Sequence, residues 1–138
     1  MRLFELQSIM KECALNVPMV KQYSDLDIYM TCNTGDVQYP ILCAAIQYMT
    51  VKEQYVSYTF QVYLADRLIN DDKNRNDVIA SEFDRAEEWV KLLKASDGIL
   101  DVEYDRQWNT GQLPQLMDVC QCVYGQVTIE VRKEYDEC

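Results

Sequence analysis

The sequence predicts an α+β domain: an antiparallel β-sheet with an N-terminal helix and one long helix packed on it, in the order α-β-β-β-α-β-β. Three observations support this class. Apolar residues recur at helical spacing near the N-terminus, alternate strictly in the segment YVSYTFQVYLA, and return to helical spacing after residue 77. With 138 residues, 49% of them hydrophobic, the chain is expected to fold as one domain over residues 1–138.

The first predicted helix covers residues 3–15, where apolar residues recur every three or four positions. Pro18 ends this helix, because proline lacks the backbone N–H that a helix interior needs. The segment DLDIYMTC, residues 25–32, then alternates between apolar and polar residues. This alternation predicts a half-buried strand, which a turn around Gly35 closes.

Two long strands are predicted next, separated by a turn at residues 52–54. The segment ILCAAIQYMTV, residues 41–51, is almost continuously apolar, which predicts a central strand covered on both faces. Residues 55–65 alternate and are rich in β-branched and aromatic side chains, which favours a strand with one buried face. That face is predicted to carry Val56, Tyr58, Phe60, Val62 and Leu64, opposite Ser57, Thr59 and Gln61.

A group of Asp, Asn, Lys and Arg residues at positions 70–77 raises the question of a calcium loop. An EF-hand frame that starts at Asp72 places Asp77 at the sixth position, where glycine is needed. The same frame places Phe83 at the twelfth position, where glutamate is needed. The frame fails, and the segment is interpreted as a helix start, because Asn and Asp accept hydrogen bonds from the first free N–H groups.

The helix that follows is predicted to pack on the sheet through one apolar seam and to end at Ser96-Asp97-Gly98. The seam comprises Ile79, Phe83, Ala86, Val90 and Leu93, with Trp89 beside it. Glu82 is assigned to the solvent-facing side with the other charged residues of this helix.

Two further strands, at residues 99–105 and 119–135, are predicted to complete the sheet. In the first, Leu100, Val102 and Tyr104 are expected on one face. In the second, Gly125 is expected to mark a bulge or the close approach of a neighbour. Between these strands lies RQWNTGQLPQLMD, residues 106–118, the longest stretch without clear periodicity. We call this segment the excursion.

The cysteines are predicted to be buried free thiols. The six positions are Cys13, Cys32, Cys43, Cys120, Cys122 and Cys138. The single C-x-C pair has no second close pair and no histidine to complete a zinc site, and residues two apart on a strand share one face. The chain has no histidine at all, no Gly-rich phosphate loop and no G-x-S-x-G elbow. We therefore expect no enzyme activity, no metal and no cofactor.

The charge balance and the hydropathy predict whether the protein binds nucleic acid or a membrane. A formal net charge of −10, from 13 basic and 23 acidic residues, argues against binding nucleic acid through its phosphates. No apolar run approaches the roughly 20 residues that cross a bilayer. The N-terminus has Glu5 and Lys11 within its apolar pattern and no small-residue cleavage site, so no signal peptide is expected. Membrane contact is not expected.

Three segments resemble tail-terminator and neck proteins of tailed bacteriophages, and are most similar to those of crAss-like phages. They are the strand YPILCAAIQ, the strand YTFQVYLADRL and the helix start NDDKNRNDVIASEF. The resemblance implies a structural protein of the virion, assembled in the host cytoplasm, that forms a homo-oligomeric ring in the neck or at the tail end. It implies contacts with neighbouring neck or tail proteins, no cofactor, and passage of phage DNA through the ring without specific binding.

The excursion is the candidate interface, because long loops on a rigid sheet often supply contact surfaces. The residues predicted to contact an adjacent subunit or the next ring are Arg106, Trp108, Leu113, Leu116 and Met117. Trp108 is the proposed anchor, since Trp and Arg are frequent interface anchors. The alternative is that the excursion folds back and caps its own sheet.

Two other functions stay open from the sequence. One is an acidic regulator that mimics DNA and binds a host protein, which would require carboxylates clustered on one surface. The other is a small enzyme or ligand-binding domain with a pocket between sheet and helix. That function would require polar groups that converge inside a core whose predicted faces are almost uniformly apolar.

Overall fold

A computed structural model describes residues 1–32, 37–67, 75–104, 107–112 and 120–133. Its helices are α1 (Leu3–Asn16), α2 (Ile28–Cys32) and α3 (Arg75–Lys94). Its strands are β1 (Gln22–Ser24), β2 (Ile41–Val51), β3 (Tyr55–Arg67), β4 (Ile99–Tyr104), β5 (Asn109–Gln112) and β6 (Cys120–Arg132). The turn around Gly35, the corner at 70–74 and residues 113–119 lie outside the described residues.

The six strands form one mixed sheet in the order β1-β2-β3-β6-β4, and β5 pairs with β6 beyond the end of β4. The predicted α+β class is therefore confirmed. The prediction of a purely antiparallel sheet is wrong, because β1 runs parallel to β2. The remaining pairs are antiparallel. Strand β5 lies within the excursion, where no strand was predicted.

The predicted strand at residues 25–32 is wrong. This part of the chain instead follows the short strand β1 and forms helix α2. The Asp27 side chain accepts a hydrogen bond from the Tyr29 N–H at 2.8 Å, and the Asp27 carbonyl accepts one from the Thr31 N–H at 3.0 Å. These bonds cap and close a helical turn. Local capping has therefore overridden the alternating pattern.

Strand β2 begins and ends where predicted, but it is not covered on both faces along its whole length. Its first four residues are buried, whereas residues 45–51 are half-buried or exposed. The reason is that β1 pairs only with Ile41, Leu42 and Cys43, so that the rest of β2 forms an outer edge of the described sheet. In β4, an irregularity between Ile99 and Asp101 similarly leaves Leu100 exposed rather than buried.

The main core lies between one face of the sheet and helices α1 and α3. The predicted inward face of β3 is confirmed, because all five of its residues are buried in this core. Phe60 and Trp89 are completely buried, and the Trp89 indole N–H donates a hydrogen bond to the Met10 carbonyl at 3.1 Å. This bond connects α3 to α1 and satisfies the only polar atom of the largest core side chain.

Helix α3 buries a different seam from the predicted one. Its buried residues are Val78, Glu82, Ala86, Trp89, Val90 and Leu93. Ile79 and Phe83 are only half-buried, and Glu82 is completely buried rather than solvent-facing. In its N-terminal half, the helix is rotated by one residue from the predicted orientation. One turn further along α3, Arg85 lies 3.7 Å from Asp66 at the end of β3.

A second, smaller core lies on the opposite sheet face beneath α2. It comprises Ile28, Ile41, Cys43, Ala65, Cys120 and Cys122. Cys13, Cys43, Cys120 and Cys122 are buried thiols rather than disulfide partners, as predicted. Burial raises the pKa of the Cys122 thiol to about 12, so that it behaves as a small uncharged side chain. Cys138 and the side chain of Cys32 lie outside the described part of the chain.

The core assignment predicts unequal effects of three aromatic truncations. Phe60→Ala or Trp89→Ala is expected to lower the free energy of unfolding by roughly 3–5 kcal/mol, because each leaves a large cavity. Phe83→Ala is the control and is expected to cost about 1 kcal/mol, because the side chain is only half-buried. Urea unfolding of the three variants measures these differences. Equal losses for Phe83→Ala and Trp89→Ala would show that the helix rotation is wrong.

Candidate protein interface

The outer half of the β2–β3 hairpin, residues 45–55, is the most conspicuous exposed surface of the described chain; we call it the distal hairpin. Five of its large apolar or aromatic side chains are 39–55% exposed. They are Ile46, Tyr48, Met49, Val51 and Tyr55. Ile46, Met49 and Val51 share the sheet face that carries α1 and α3, whereas Tyr48 lies on the opposite face. Single exposed apolar residues are ordinary, but several of them on one face mark an interaction site.

The backbone of the distal hairpin is also available for contact. Among the described residues, no strand pairs with the outer edge of β2 at residues 45–51. β2 contains no charged residue, although charges are a common protection of sheet edges against pairing. The opposite edge strand, β4, carries Asp101 and Glu103. The two outer edges of the sheet are therefore chemically unlike.

A bulge determines where the hairpin side chains point. The register of β2 against β3 shifts between Ile46 and Tyr48, so that Gln47 is the extra residue. As a result, Met49 lies opposite Tyr58, and Val51 lies opposite Val56, on the face that carries α1 and α3. The helices do not cover these side chains.

The distal hairpin ends in a cluster of positive charge. Lys52 lies in its turn, 3.6 Å from Glu130. The backbone N–H of Lys133 donates to the Gln54 carbonyl at 2.9 Å, and Arg132 pairs with Tyr55 across the sheet. The amino group of Met1 donates to the Arg132 carbonyl at 3.0 Å. Four cationic groups thus lie at this end together with two carboxylates, those of Glu53 and Glu130, which leaves a local positive excess in a chain whose net charge is −10.

A cleft of about 530 Å³ lies between the end of α1 and the N-terminal half of α3. It is lined by Val17, Pro18, Met19, Ser81, Asp84, Arg85 and Glu88. We call it the α1–α3 cleft. Its α1 side is apolar and its α3 side carries two carboxylates and one guanidinium. The same Arg85 guanidinium lies 3.7 Å from Asp66, so its charge is largely offset.

The apolar side of the cleft is formed by a strained turn. The Val20 N–H donates to the Val17 carbonyl at 3.3 Å, with Pro18 and Met19 at the two central positions. Met19 has a φ of 73°. A type II turn requires this positive φ at its third residue and normally has glycine there. Met19 is nevertheless 64% exposed, so that its side chain gains little from packing on its own chain.

A buried acid lies on the same part of α3. Glu82 is completely buried, and neither of its carboxyl oxygens has a partner of good hydrogen-bond geometry among the described residues. Burial raises the pKa of Glu82 to about 9, and the nearby charge of Asp66 contributes in the same direction, while Arg85 opposes it. Gln121 is also completely buried; its Nε2 donates to the Gly111 carbonyl at 3.0 Å, and its Oε1 has no partner.

Sequence reasoning missed this polar pair inside the core. Glu82 follows Val78 by four positions and precedes Ala86 by four, so its helical position was consistent with burial. Its charge led to the opposite assignment. Two polar side chains in the core are an observation in favour of the ligand-binding alternative. However, no group of three His, Cys, Asp or Glu residues that could hold a metal occurs within the described ranges.

Trp108 lies against its own sheet. A side-chain Cβ at Gly125 would come within 3.1 Å of the Trp108 ring, which confirms the predicted close approach at this glycine. The Trp108 ring also lies 5.7 Å from that of Tyr104, and its indole nitrogen is buried without an acceptor. This placement follows the alternative in which the excursion caps its own sheet. Arg106, Leu113, Leu116 and Met117 lie outside the described residues.

The uncovered part of the second sheet face forms a polar cleft of about 500 Å³. It is lined by Tyr48, Lys94, Asp101, Val102, Glu103, Tyr104, Gln126 and Thr128. Beside it, the Thr59 and Thr128 hydroxyls are 2.8 Å apart, so that they satisfy each other. Thr59 is buried and Thr128 is half-buried, so these two hydroxyls form a satisfied polar contact within the sheet. Nothing in their arrangement provides a nucleophile with an adjacent base.

Comparisons with known proteins do not assign the chain to a family. A comparison with protein-family models gave no match, and neither did one with curated protein sequences. None of the helices in the described ranges is long and apolar enough to cross a membrane.

Two substitutions at Met19 measure the strain of its turn. Met19→Gly is expected to be more stable than Met19→Ala by about 1 kcal/mol, because only glycine adopts this positive φ without a steric penalty. Both variants lose the same exposed side chain, so their difference isolates the backbone effect. Thermal and urea unfolding provide the measurement. Equal stability of the two variants would contradict the strained turn.

Glu82 is expected to make stability depend on pH. Its folded pKa of about 9 lies above the ordinary value of 4.5, so the folded state retains a proton that the unfolded state loses. Stability therefore falls as pH rises from about 4.5 to about 9. Glu82→Gln removes this effect. Between pH 5 and pH 7, the free energy of unfolding of the variant should therefore rise by about 3 kcal/mol relative to that of the unmodified protein. Urea unfolding over this pH range measures the difference. If the stability of both proteins changes with pH in the same way, Glu82 is not protonated in the folded state.

Proposed function

We propose that the protein is a structural subunit of the virion of a tailed phage, which self-associates into a ring in the neck or at the tail end. The distal hairpin carries this proposal. It combines five exposed apolar or aromatic side chains with an uncharged strand edge that none of the described strands pairs with. A chain that remained a monomer would gain nothing from this arrangement and would risk non-specific pairing. A neighbouring copy that covers the hairpin removes that risk.

The resemblance to tail-terminator and neck proteins specifies the kind of assembly. Such a subunit works by shape and contact, with neighbouring neck or tail proteins above and below its ring. The acidic balance of the chain suits a channel that DNA passes without binding, because like charges repel. In this proposal the excursion remains available for contact with the next ring, although Trp108 itself packs on Gly125.

A matched pair of edge variants tests the proposal. The purified protein is expected to form a discrete oligomer, seen as rings by electron microscopy and as one mass under native conditions. Met49→Lys introduces a charge into the distal hairpin and is expected to weaken assembly at least tenfold. Leu100→Lys is the control, because Leu100 has similar exposure but lies on the opposite edge strand.

The outcomes separate folding from assembly. Both variants are expected to keep the melting temperature of the unmodified protein, since both side chains are about half exposed. Equal assembly of the two variants would remove the distal hairpin from the interface. A protein that stays monomeric at every attainable concentration, with or without its neck neighbours, would refute the ring function itself.

A further inference from the structure

We propose that the distal hairpin of one copy docks into the α1–α3 cleft of the next copy, head to tail. This inference rests on the proposed self-association and names the second surface that it requires. The occupant of the cleft is thus another copy of this chain, presented through the apolar and cationic end of its sheet.

The two surfaces lie at opposite ends of the molecule. The cleft adjoins the Asp66 end of β3, because its Arg85 lies 3.7 Å from Asp66. The distal hairpin lies at the Tyr55 end of the same strand. Asp66 and Tyr55 are 11 positions apart (66 − 55), which corresponds to roughly 36 Å along a strand. One copy can therefore use both surfaces at once.

The charges of the two surfaces are complementary. The cleft presents two carboxylates beside the one guanidinium of Arg85, whose charge Asp66 offsets. The hairpin end presents four cationic groups, including the N-terminal amine, beside the carboxylates of Glu53 and Glu130. Two copies that each carry a net charge of −10 repel each other in most orientations. The cationic end and the acidic cleft attract each other locally, although the net charges of the two copies repel. This local attraction favours the orientation in which the two surfaces meet.

The apolar groups of the two surfaces are complementary as well. The cleft offers Val17, Pro18 and the exposed Met19. The hairpin offers Met49 and Val51 from the helix-bearing face of the sheet. Methionine side chains are flexible and polarizable, which suits a contact between two curved surfaces. A contact of this kind also explains why a strained turn displays a large side chain to solvent.

The geometry has a consequence for symmetry. Two unlike surfaces at opposite ends of a molecule cannot form a two-fold dimer in which both partners use the same patch. Such surfaces instead form a head-to-tail contact, which repeats until a ring closes or a filament grows. The inference therefore predicts a closed ring or a filament and excludes a two-fold dimer that joins hairpin to hairpin.

Charge reversal tests the contact directly. One variant carries Asp84→Lys and Glu88→Lys, and the other carries Lys52→Glu and Lys133→Glu. Each is expected to lose assembly by at least tenfold in sedimentation velocity, because each brings like charges together. An equimolar mixture is expected to regain assembly with alternating copies, because each cleft then meets a hairpin of opposite charge. Asp97→Lys with Glu103→Lys is the control for the cleft variant, since it adds the same positive charge at exposed positions that do not line the cleft.

Two further measurements need no charge reversal. One is the dependence of assembly on ionic strength, and the other is the effect of removing the acidic residues after Lys133. Assembly is expected to weaken as salt rises from 0.05 M to about 0.5 M, because exposed charges are screened over about 10 Å at 0.1 M. Glu134, Asp136 and Glu137 follow Lys133 in the sequence, so deletion of residues 134–138 is expected to strengthen assembly by removing negative charge beside the hairpin end.

The outcomes distinguish this inference from the proposed function. If the unmodified protein assembles and both charge-reversed variants still assemble, the docking of hairpin into cleft is wrong while self-association stands. Assembly of either variant alone into two-fold dimers leads to the same conclusion. If the unmodified protein never assembles, the proposed function fails first. Rescue in the mixture, with no loss in the control, supports the contact.

Discussion

The structure depends on one interaction, the antiparallel pairing of β3 with β6. These strands match along their whole length, from Tyr55 opposite Arg132 to Arg67 opposite Cys120. Every other element is placed by this pair. Helix α3 packs on one face, α2 covers part of the other, β2 extends one edge, and β4 and β5 share the second edge end to end. The two ends of the pair therefore define the two ends of the molecule.

The helices cover this inner pair at the hairpin end, because Val56 and Val131 are buried in the main core there. Residues 45–51 of β2 lie beside that covered pair, on the outer edge of the described sheet. Geometry explains why residues 45–51 are uncovered but not why they are apolar. A polar sequence would have met the same geometry without exposing Met49 or Val51, so their character points to contact with another surface.

The sequence predicted the structure correctly where a single local pattern determined it. The limits of β2 and the buried face of β3 followed from alternation and composition. Helix α2 was missed because Asp27 caps a turn that the alternating pattern hides. The parallel pairing of β1 with β2 depends on partners far apart in the chain, which no local pattern encodes. Glu82 was misplaced because charge normally predicts exposure, whereas here the proton-bound form is buried. Arg106 and the other excursion residues were proposed from composition, and only Trp108 among them can be placed.

Two departures from ordinary sequence rules lie on opposite sides of the α1–α3 cleft. Ser81, Asp84 and Arg85 line the α1–α3 cleft, while Glu82 faces the core from the same turn. Across the cleft, Met19 occupies a backbone conformation that favours glycine. Both features reduce the stability of the isolated chain, and neither is needed to build the sheet. Local rules are most often broken where a protein binds something, because selection there acts on contact rather than on folding. The cleft is thus distinguished by two destabilising features as well as by its charge. This argument for a binding surface does not depend on any resemblance to other proteins.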